Sequence, residues 1–347
     1  MILRQLFDLD SSTYTYLIGC EKTKKALFID PVFELLRRDL ALIDELGLTL
    51  ETVCETHCHA DHVTAAWLLK QKTGCKVASA EVSGAANVDL PLADGDVIQV
   101  GNERLEVLAT PGHTVGCLSF ITADHSKAFT GDALLIRGCG RCDFQQGNAT
   151  TLFHSVREKL FGLPDSCEVY PGHDYNGRTK TTVAEEKAFN TRLGGDASQQ
   201  DFVGYMDAMQ LPHPRLIDHA VPANMKSGEP EDGSLPVEVT WAPIHHTFSG
   251  VPEVEVEWVI SHRDKVHVLD VRETSELENP VDRLENTQVL PLAQLRDAIK
   301  EVPTDKPIVC LCRSGRRSAM AVSILQEAGI ADVANISGGM LRWIELS

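Results

Sequence analysis

Apolar residues along the first 230 positions switch between a strand-like and a helix-like spacing. Short apolar runs bounded by turn residues predict β-strands at 14–18, 26–30, 48–56, 76–80, 96–100, 105–110 and 118–121. Apolar positions that recur every three or four residues predict helices at 35–46, 63–72, 150–161 and 183–189. This mixture of strand runs and helices predicts a domain of the α+β type.

The last hundred residues have a more regular pattern. Predicted strands at 266–271, 307–311 and 333–335 alternate with predicted helices at 292–300 and 318–328. Strands that alternate with helices favour a parallel sheet, so the second domain is predicted to be α/β. The polar, Gly- and Pro-rich stretch that begins at 226 predicts a linker. We therefore expect domains at 1–226 and 251–347, joined by a linker at 227–250.

Composition narrows the class of protein. The chain has 347 residues, of which 43% are hydrophobic and 24% are charged, as expected for about two folded domains. Its net charge of −18 argues against nucleic acid and anionic membranes as partners, because both attract positive surfaces. Ten cysteines are too dilute for a disulfide scaffold, and the first residues lack a signal-peptide pattern. We expect a soluble, cytoplasmic protein.

Four potential metal-binding groups fall within six residues at 57–62, in the pattern His-x-His-x-Asp-His after a predicted strand. Three further pieces, at 111–114, 130–132 and 170–175, place a histidine or an aspartate beside a glycine. Burying so many polar groups costs several kcal/mol unless something binds them. Histidines in surface loops are the ordinary alternative, but the set as a whole predicts a metal site.

This ordered series resembles the metallo-β-lactamase superfamily over residues 1 to about 226. The resemblance implies an αββα sandwich with the metal at one edge. Three branches compete: β-lactamases, which bind two zinc ions; glyoxalase II, a thioester hydrolase of glutathione conjugates; and persulfide dioxygenase (sulfur dioxygenase), which uses one iron. Segments 131–147 and 221–225 resemble the third branch, and 63–66 lacks the glycines that glyoxalase II favours.

What the persulfide dioxygenase resemblance implies can be stated residue by residue. One Fe(II) per chain would be held by His57, His113 and Asp132. Two imidazoles and one carboxylate form the ligand set of non-haem Fe(II) oxygenases. The groups that would orient ligands or donate protons are His59, Asp61, His62 and His173. The expected contacts to glutathione are Arg137, Arg141, Tyr175, Met225 and Lys226.

The expected reaction of this domain is oxidation of glutathione persulfide by O2 to sulfite and glutathione. A zinc-dependent glutathione thioester hydrolase of the glyoxalase II type, with an accessory rhodanese domain, is the alternative, and a second bound metal would favour it. Cys139 and Cys142 form a Cys-x-x-Cys pair, which can indicate redox chemistry or zinc. We interpret them as neighbouring thiols near the substrate pocket.

The second strong signal is a cysteine between a predicted strand and a predicted helix. Cys312 begins a loop that continues with Arg313, Ser314, Gly315, Arg316 and Arg317. Backbone N–H groups and a helix N-terminus at such a loop bind anions, and the arginines favour the reactive thiolate. A phosphatase loop of the pattern Cys-x5-Arg would need arginine at 318, where the residue is Ser318. The six-residue loop therefore does not fit a phosphatase.

This loop resembles that of rhodanese sulfurtransferases, and segments 268–273 and 336–343 resemble other parts of the same family. The resemblance covers about residues 250–347 and implies that Cys312 carries sulfane sulfur as a persulfide. Sulfur transfer between thiosulfate and glutathione, with sulfite released, would then supply the dioxygenase. A sulfur-binding or sensing module is the alternative without catalysis. The sequence does not determine the oligomeric state, and a homo-oligomer is one of the possibilities.

Overall fold

The structure is a computed structural model that describes residues 1–209, 211–212, 214–236, 240–278 and 283–346. Residues 237–239 of the predicted linker, and 279–282 and 347 of the predicted second domain, lie outside the described residues. Two compact units result: Met1–Asp39 with Leu46–Leu235, and Leu40–Glu45 with Pro236–Ser347. The domain boundaries at 226 and 251 stay predictions.

Eighteen strands and ten α-helices lie within the described residues. The strands are β1 (Ile2–Phe7), β2 (Tyr14–Gly19), β3 (Lys25–Ile29), β4 (Thr49–Cys54), β5 (Lys76–Ala80), β6 (Leu90–Leu92), β7 (Val97–Val100), β8 (Glu103–Ala109), β9 (Leu118–Thr122), β10 (Lys127–Gly131), β11 (Glu168–Pro171), β12 (Thr181–Thr182), β13 (His245–His246), β14 (Pro252–Val254), β15 (His267–Asp270), β16 (Thr287–Val289), β17 (Ile308–Leu311) and β18 (Val333–Ile336). The helices are α1 (Leu36–Glu45), α2 (Ala66–Thr73), α3 (Ala149–His154), α4 (Val183–Phe189), α5 (Gln199–Asp207), α6 (Ile217–Asn224), α7 (Val256–Ser261), α8 (Leu292–Leu295), α9 (Arg316–Glu327) and α10 (Gly339–Leu346). None of these helices is long and apolar enough to cross a bilayer.

Two six-stranded sheets form the centre of the first unit in its described part. The first has the order β1-β2-β3-β4-β5-β6 and is parallel from β3 onward. The second has the order β12-β11-β10-β9-β8-β7 and is antiparallel apart from the β10–β11 pair. Tyr16 and Leu27 from one sheet share an apolar cluster with Phe120 and Phe129 from the other. The sheets therefore pack face to face.

Helices cover the outer faces of these sheets. Helix α2 lies against β4 and β5 of the first sheet. On the second sheet, Ile121 and Val169 share a cluster with Leu152 of α3, Val183 of α4 and Phe202 of α5. The order of layers is helix, sheet, sheet, helix, which confirms the predicted αββα sandwich.

The second unit is built on one sheet of order β13-β14-β18-β17-β15-β16 in the described residues, parallel except for the β13–β14 pair. Helix α9 packs on β17 and β18. The predicted α/β domain with a parallel sheet is confirmed. The predicted helix at 292–300 is shorter in the structure, because α8 ends at Leu295 and Asp297 bonds to the Gln294 carbonyl at the tighter 3-10 spacing.

Candidate active sites

The three predicted metal ligands and the supporting residue His173 follow the ends of four strands in the first unit. His57 comes after β4, His113 after β8, Asp132 after β10 and His173 after β11. Because β10 and β11 are parallel neighbours, Asp132 and His173 leave the same edge of the second sheet. The fold therefore converts four distant sequence positions into one site.

Two glycines allow the close approach of these loops. Gly131 has a φ of +49°, and a Cβ atom there would lie 2.6 Å from the hydroxyl oxygen of Thr56. A Cβ atom at Gly140 would lie 2.7 Å from the Nδ1 atom of His113 and 2.7 Å from the carbonyl oxygen of Asp132. A side chain at either position would push the loops apart, so only glycine fits.

His57, His113 and Asp132 form a buried cluster. One ligand atom from each lies within 4.8 Å of the others, and their exposed fractions are 5%, 5% and 8%. The Nε2 atom of His113 lies 3.7 Å from a carboxylate oxygen of Asp132. Burial lowers the pKa of His57 well below its usual value, which keeps that imidazole neutral and able to bind a metal. The cluster is suited to one metal ion.

A hydrogen-bonded chain fixes the orientation of the His57 ring. Asp30 accepts hydrogen bonds from the Thr56 amide and the Thr56 hydroxyl, both at 2.7 Å. Because the Thr56 hydroxyl donates its hydrogen bond to Asp30, its oxygen accepts a hydrogen bond from the His57 Nδ1–H at 2.9 Å. The lone pair of His57 is then on Nε2, the nitrogen free to face a metal.

His173 bridges two carboxylates beside the cluster. Its Nδ1 atom lies 2.7 Å from Asp132, and its Nε2 atom lies 3.0 Å from Asp61. Asp61 also contacts the Nδ1 atom of His62 at 2.9 Å and the hydroxyl of Thr13 at 3.0 Å. Burial alone would lower the pKa of His173, but the two carboxylates outweigh it and raise this pKa well above its usual value. His173 therefore donates from both nitrogens.

His59 lies against two buried acidic residues. Its Nε2 atom is 3.2 Å from Asp30 and 3.5 Å from Glu55. Burial lowers the pKa of His59, but the carboxylates outweigh that effect and raise this pKa to about 10. His59, Asp61 and His62 also bring ligand atoms within 4.8 Å of one another, so they form a second cluster that could hold an ion.

The cluster opens into a cleft of about 990 Å³ that Arg137 and Arg141 line. Arg137 forms ion pairs with Glu185 and the fully buried Glu186. Arg141 forms an ion pair with Asp143, and its own carbonyl oxygen contacts the His113 ring. The charges of both predicted glutathione contacts are therefore already paired within the protein.

The remaining predicted glutathione contacts differ in position. Tyr175 lines the cleft, is 71% exposed and stacks on the His173 ring at an interplanar angle of 10°. Met225 and Lys226 do not line the cleft in the described residues, and their carbonyl oxygens accept hydrogen bonds from Ala86 and Asn87. The glutathione-binding role of these residues stays a prediction.

Several supporting residues were not identified from the sequence. Asn224 donates to the carbonyl oxygens of His59 and His62 at 2.9 and 2.8 Å, and it accepts from the Thr64 amide. Asn224 lies in segment 221–225, which resembles persulfide dioxygenases, but the resemblance did not indicate what Asn224 contacts. Asp30 and Thr13 carry no local signal, because each is a single polar residue beside a strand.

The thiols near the cleft are free cysteines with raised pKa values. Burial raises the pKa of Cys139 to about 11, and it also raises that of Cys142. Burial raises the pKa of both Cys58 and Cys117 to about 12. These thiols are protonated at neutral pH and therefore weakly nucleophilic.

In the second unit, β17 leads directly into Cys312, and α9 begins at Arg316. The hydroxyl of Ser318 donates to the Cys312 sulfur at 3.2 Å, and amides of Ser314, Arg317 and Ser318 also point at it. Burial raises the Cys312 pKa, but these hydrogen bonds outweigh burial and lower it below its usual value. The loop is built to hold a negative sulfur.

The segment after β18 fixes this loop from the other side. The amides of Met340 and Leu341 donate to the carbonyl oxygens of Cys312 and Arg313 at 2.9 and 3.0 Å. A Cβ atom at Gly339 would lie 2.4 Å from the Cys312 carbonyl oxygen, so glycine is required for this approach. The predicted loop and the predicted closing segment are thus in contact.

Comparison with known proteins gives each unit a family. Residues 9–173 match the metallo-beta-lactamase superfamily, and residues 255–346 match the rhodanese-like domain. Persulfide dioxygenase ETHE1, mitochondrial, from Bos taurus is 53% identical over 229 residues, which are 66% of this chain and 89% of that protein.

Solved structures agree with this assignment. ETHE1 from Myxococcus xanthus is 51% identical with a TM-score of 0.64, and the match covers 66% of this chain and all of that one. A metallo-beta-lactamase from Staphylococcus aureus subsp. aureus COL is 25% identical with a TM-score of 0.62, and it covers 97% of this chain and 98% of its own. The chain therefore belongs to the ETHE1 persulfide dioxygenase family within the metallo-β-lactamase superfamily, and it carries a C-terminal rhodanese-like domain.

Proposed function

We propose that the first unit oxidises glutathione persulfide. One persulfide, one O2 and one water give one glutathione, one sulfite and two protons. The observation that carries this proposal is the buried cluster of His57, His113 and Asp132 in a chain of the ETHE1 family. Two imidazoles and one carboxylate are the ligand set of non-haem Fe(II) oxygenases. One Fe(II) bound by them would supply open positions at which the persulfide sulfur and O2 can meet.

The surrounding residues set the geometry and hold protons. Asp30 and Thr56 keep the His57 proton on Nδ1, and the Arg141 carbonyl does the same for His113. His173 holds one oxygen of Asp132 with its Nδ1 proton and keeps a second proton on Nε2 against Asp61. Such partners orient ligand side chains before substrate binds.

The glyoxalase II type of thioester hydrolase is the second candidate. The observation that favours it is the cluster of His59, Asp61 and His62, which could hold a second ion. Against it, burial lowers the pKa of His59, but Asp30 and Glu55 outweigh burial and raise this pKa to about 10, so the imidazole is protonated and has no lone pair for a metal. The sequence identity of 53% to a persulfide dioxygenase also favours oxidation.

One experiment separates the two candidates. The metal content of the purified full chain is measured, and the same sample is assayed for O2 uptake with glutathione persulfide and for hydrolysis of a glutathione thioester. We expect about one iron per chain, with O2 uptake and without thioester hydrolysis. Two zinc ions per chain together with hydrolysis would overturn the proposal.

We further propose that the second unit is a thiosulfate sulfurtransferase. The Cys312 thiolate attacks the outer sulfur of thiosulfate, and the S–S bond breaks with its electron pair leaving on sulfite. The Cys312 persulfide anion then transfers its outer sulfur to the glutathione thiolate, which regenerates the Cys312 thiolate and gives glutathione persulfide. The carrying observation is the cradle of amides and the Ser318 hydroxyl around the Cys312 sulfur. A covalent intermediate divides the transfer into two easier displacements.

The product of this transfer is the substrate of the proposed dioxygenase. Thiosulfate, O2 and water would then give two sulfites and two protons, with glutathione acting as a carrier. The second unit is tested by mixing the full chain with thiosulfate and glutathione without O2 and measuring sulfite. We expect sulfite release, and its absence would favour a sulfur-binding module.

A further inference from the structure

Glu276 lies in a short 3-10 turn, Thr274–Leu277, that contacts the Cys312 loop through one arginine. The two terminal nitrogens of Arg317 donate to the two carboxylate oxygens of Glu276 at 2.5 and 2.8 Å. The Glu273 amide donates to the same carboxylate at 3.0 Å. These three donors, Arg317 foremost, lower the pKa of Glu276 to about 2. Glu276 is therefore a charged group held in one orientation.

Arg317 also faces the reactive sulfur. Its guanidinium is close enough to the Cys312 sulfur for their charges to interact, and its two terminal nitrogens contact the Glu276 carboxylate. A bidentate contact fixes the plane of a guanidinium as well as its position. The Ser318 hydroxyl, which is also in the first turn of α9, donates to the same sulfur at 3.2 Å. The Cys310 thiol on β17 is a further titratable group close to Cys312.

The other arginines of the loop are different. Among the described residues, the side chains of Arg313 and Arg316 have no ion pair or hydrogen bond, and Arg313 is exposed. A long cation without a partner can turn towards an incoming anion, whereas Arg317 has its outer nitrogens occupied. Arg317 is therefore held in place, whereas Arg313 and Arg316 are able to move towards a ligand.

We propose that Glu276 is a positioning residue for sulfur transfer, which fixes the Arg317 guanidinium against the Cys312 sulfur and leaves Arg313 and Arg316 to bind the anionic donor. This inference rests on the proposed sulfurtransferase activity of the second unit. In the first step, the guanidinium stabilises the attacking thiolate. After sulfite leaves, it faces the persulfide anion on the same cysteine, so one fixed cation serves both halves of the reaction.

The sign of the Glu276 effect distinguishes positioning from a simple charge effect. A carboxylate close to a thiol raises the thiol pKa, so removing Glu276 would lower the Cys312 pKa if charge alone mattered. If Glu276 acts by holding Arg317, its removal frees the guanidinium and makes the thiolate less stable. The two roles therefore predict opposite changes in the reactivity of Cys312.

The test compares the full chain, Glu276→Ala, Arg317→Ala and the double variant. Alkylation of Cys312 by iodoacetamide at pH 7 is followed by mass spectrometry of the peptide that contains it, because nine other cysteines are present. We expect Glu276→Ala to slow alkylation about three- to tenfold. In the Arg317→Ala background the same change should instead accelerate alkylation, because only an unpaired carboxylate is then removed.

Acceleration in both backgrounds, or no change in either, would overturn the proposal. Glu276→Gln keeps an acceptor for the Glu273 amide but loses the bidentate contact, so it should slow alkylation even if Glu276→Ala unfolds the turn. Glu278→Gln is the matched control, since Glu278 has no ion pair or hydrogen bond among the described residues. Glu276→Gln that reacts like wild type counts against positioning.

Turnover gives an independent readout. With thiosulfate and glutathione, Glu276→Gln should lower kcat for sulfite release about three- to tenfold with little change in the KM for thiosulfate. Arg313→Ala and Arg316→Ala should mainly raise that KM. The alkylation rate can be measured without turnover, so the two proposals fail separately. A wild-type chain without sulfurtransferase activity would refute the proposed function. An unchanged alkylation rate in the variants would refute only the positioning role of Glu276.

Discussion

The Nδ1 atom of His113 lies 2.5 Å from the backbone carbonyl oxygen of Arg141. A carbonyl oxygen only accepts hydrogen bonds, so Nδ1 carries the proton and the lone pair of His113 is on Nε2. Arg141 therefore acts on the metal cluster through its main chain, while its side chain pairs with Asp143. The main chain of a residue predicted to bind substrate by its charge thus orients a candidate metal ligand.

His113→Ala should abolish iron binding and O2 uptake together, because one of the two imidazoles of the cluster is lost. Iron per chain is measured by atomic emission, and O2 uptake is measured with glutathione persulfide. His125→Ala is the matched control, since His125 pairs with Glu106 away from the cluster. O2 uptake that survives in an iron-free variant would contradict the proposed dioxygenase.

Thr56→Val should weaken Fe(II) binding about 10- to 100-fold, the usual effect of removing a partner that orients a ligand. The valine cannot accept the Nδ1 proton of His57 or donate to Asp30. Thr56→Ser retains the hydroxyl and should bind like wild type. Affinity is measured by titration of the metal-free chain with Fe(II) under anaerobic conditions. Equal affinity in Thr56→Val would exclude this orienting role.

Arg137→Ala should reduce the free energy of unfolding by about 2 kcal/mol, because the buried Glu186 loses its cation. This loss is smaller than that expected for a fully buried ion pair, because Arg137 is partly exposed and solvent screens its charge. Adding Glu186→Gln should restore most of this stability, as measured by urea unfolding. If Arg137 also binds glutathione persulfide, the double variant should retain a raised KM with a nearly unchanged kcat. A normal KM would remove Arg137 from the substrate contacts.

Ser318→Ala should raise the pKa of Cys312, because the hydroxyl donates to the sulfur and stabilises the thiolate. In the wild-type chain, the pH profile of Cys312 alkylation should have its midpoint below 9.0, the ordinary thiol value. The variant should shift this midpoint upward and react more slowly at neutral pH. Ser323→Ala serves as the control, since the Ser323 hydroxyl bonds within its own helix. An unshifted profile would exclude the role of Ser318.

Cys312→Ser should abolish O2 uptake driven by thiosulfate plus glutathione while leaving uptake driven by preformed glutathione persulfide nearly intact. Only the first assay needs the covalent sulfur carrier. Both rates are measured on one preparation with an oxygen electrode and corrected for iron content. Loss of both activities, or of neither, would mean that the two reactions are not coupled through Cys312.

The sequence by itself identified the candidate residues of both sites. Four of the candidate metal-binding groups lie within residues 57–62, and the Cys312 loop is continuous from 312 to 317. Such motifs can be recognised in the sequence, because the residues that bind one ligand are close together in a single loop. The family resemblance carried by these motifs implied the αββα sandwich, and the alternation of strands and helices predicted the parallel sheet of the second domain. The structure agrees with both.

The tertiary structure decided which partners support those motifs. Asp30 contacts Thr56 and His59, Thr13 contacts Asp61, and Asn224 contacts the His59 carbonyl. Glu276 contacts Arg317 across 41 positions of sequence. A single polar residue has no periodicity, so its partner is set only when sheets and loops pack and bring distant strand ends together. For the same reason, the sequence shows that Arg137 is charged, but only the tertiary structure shows that it forms ion pairs with Glu185 and Glu186.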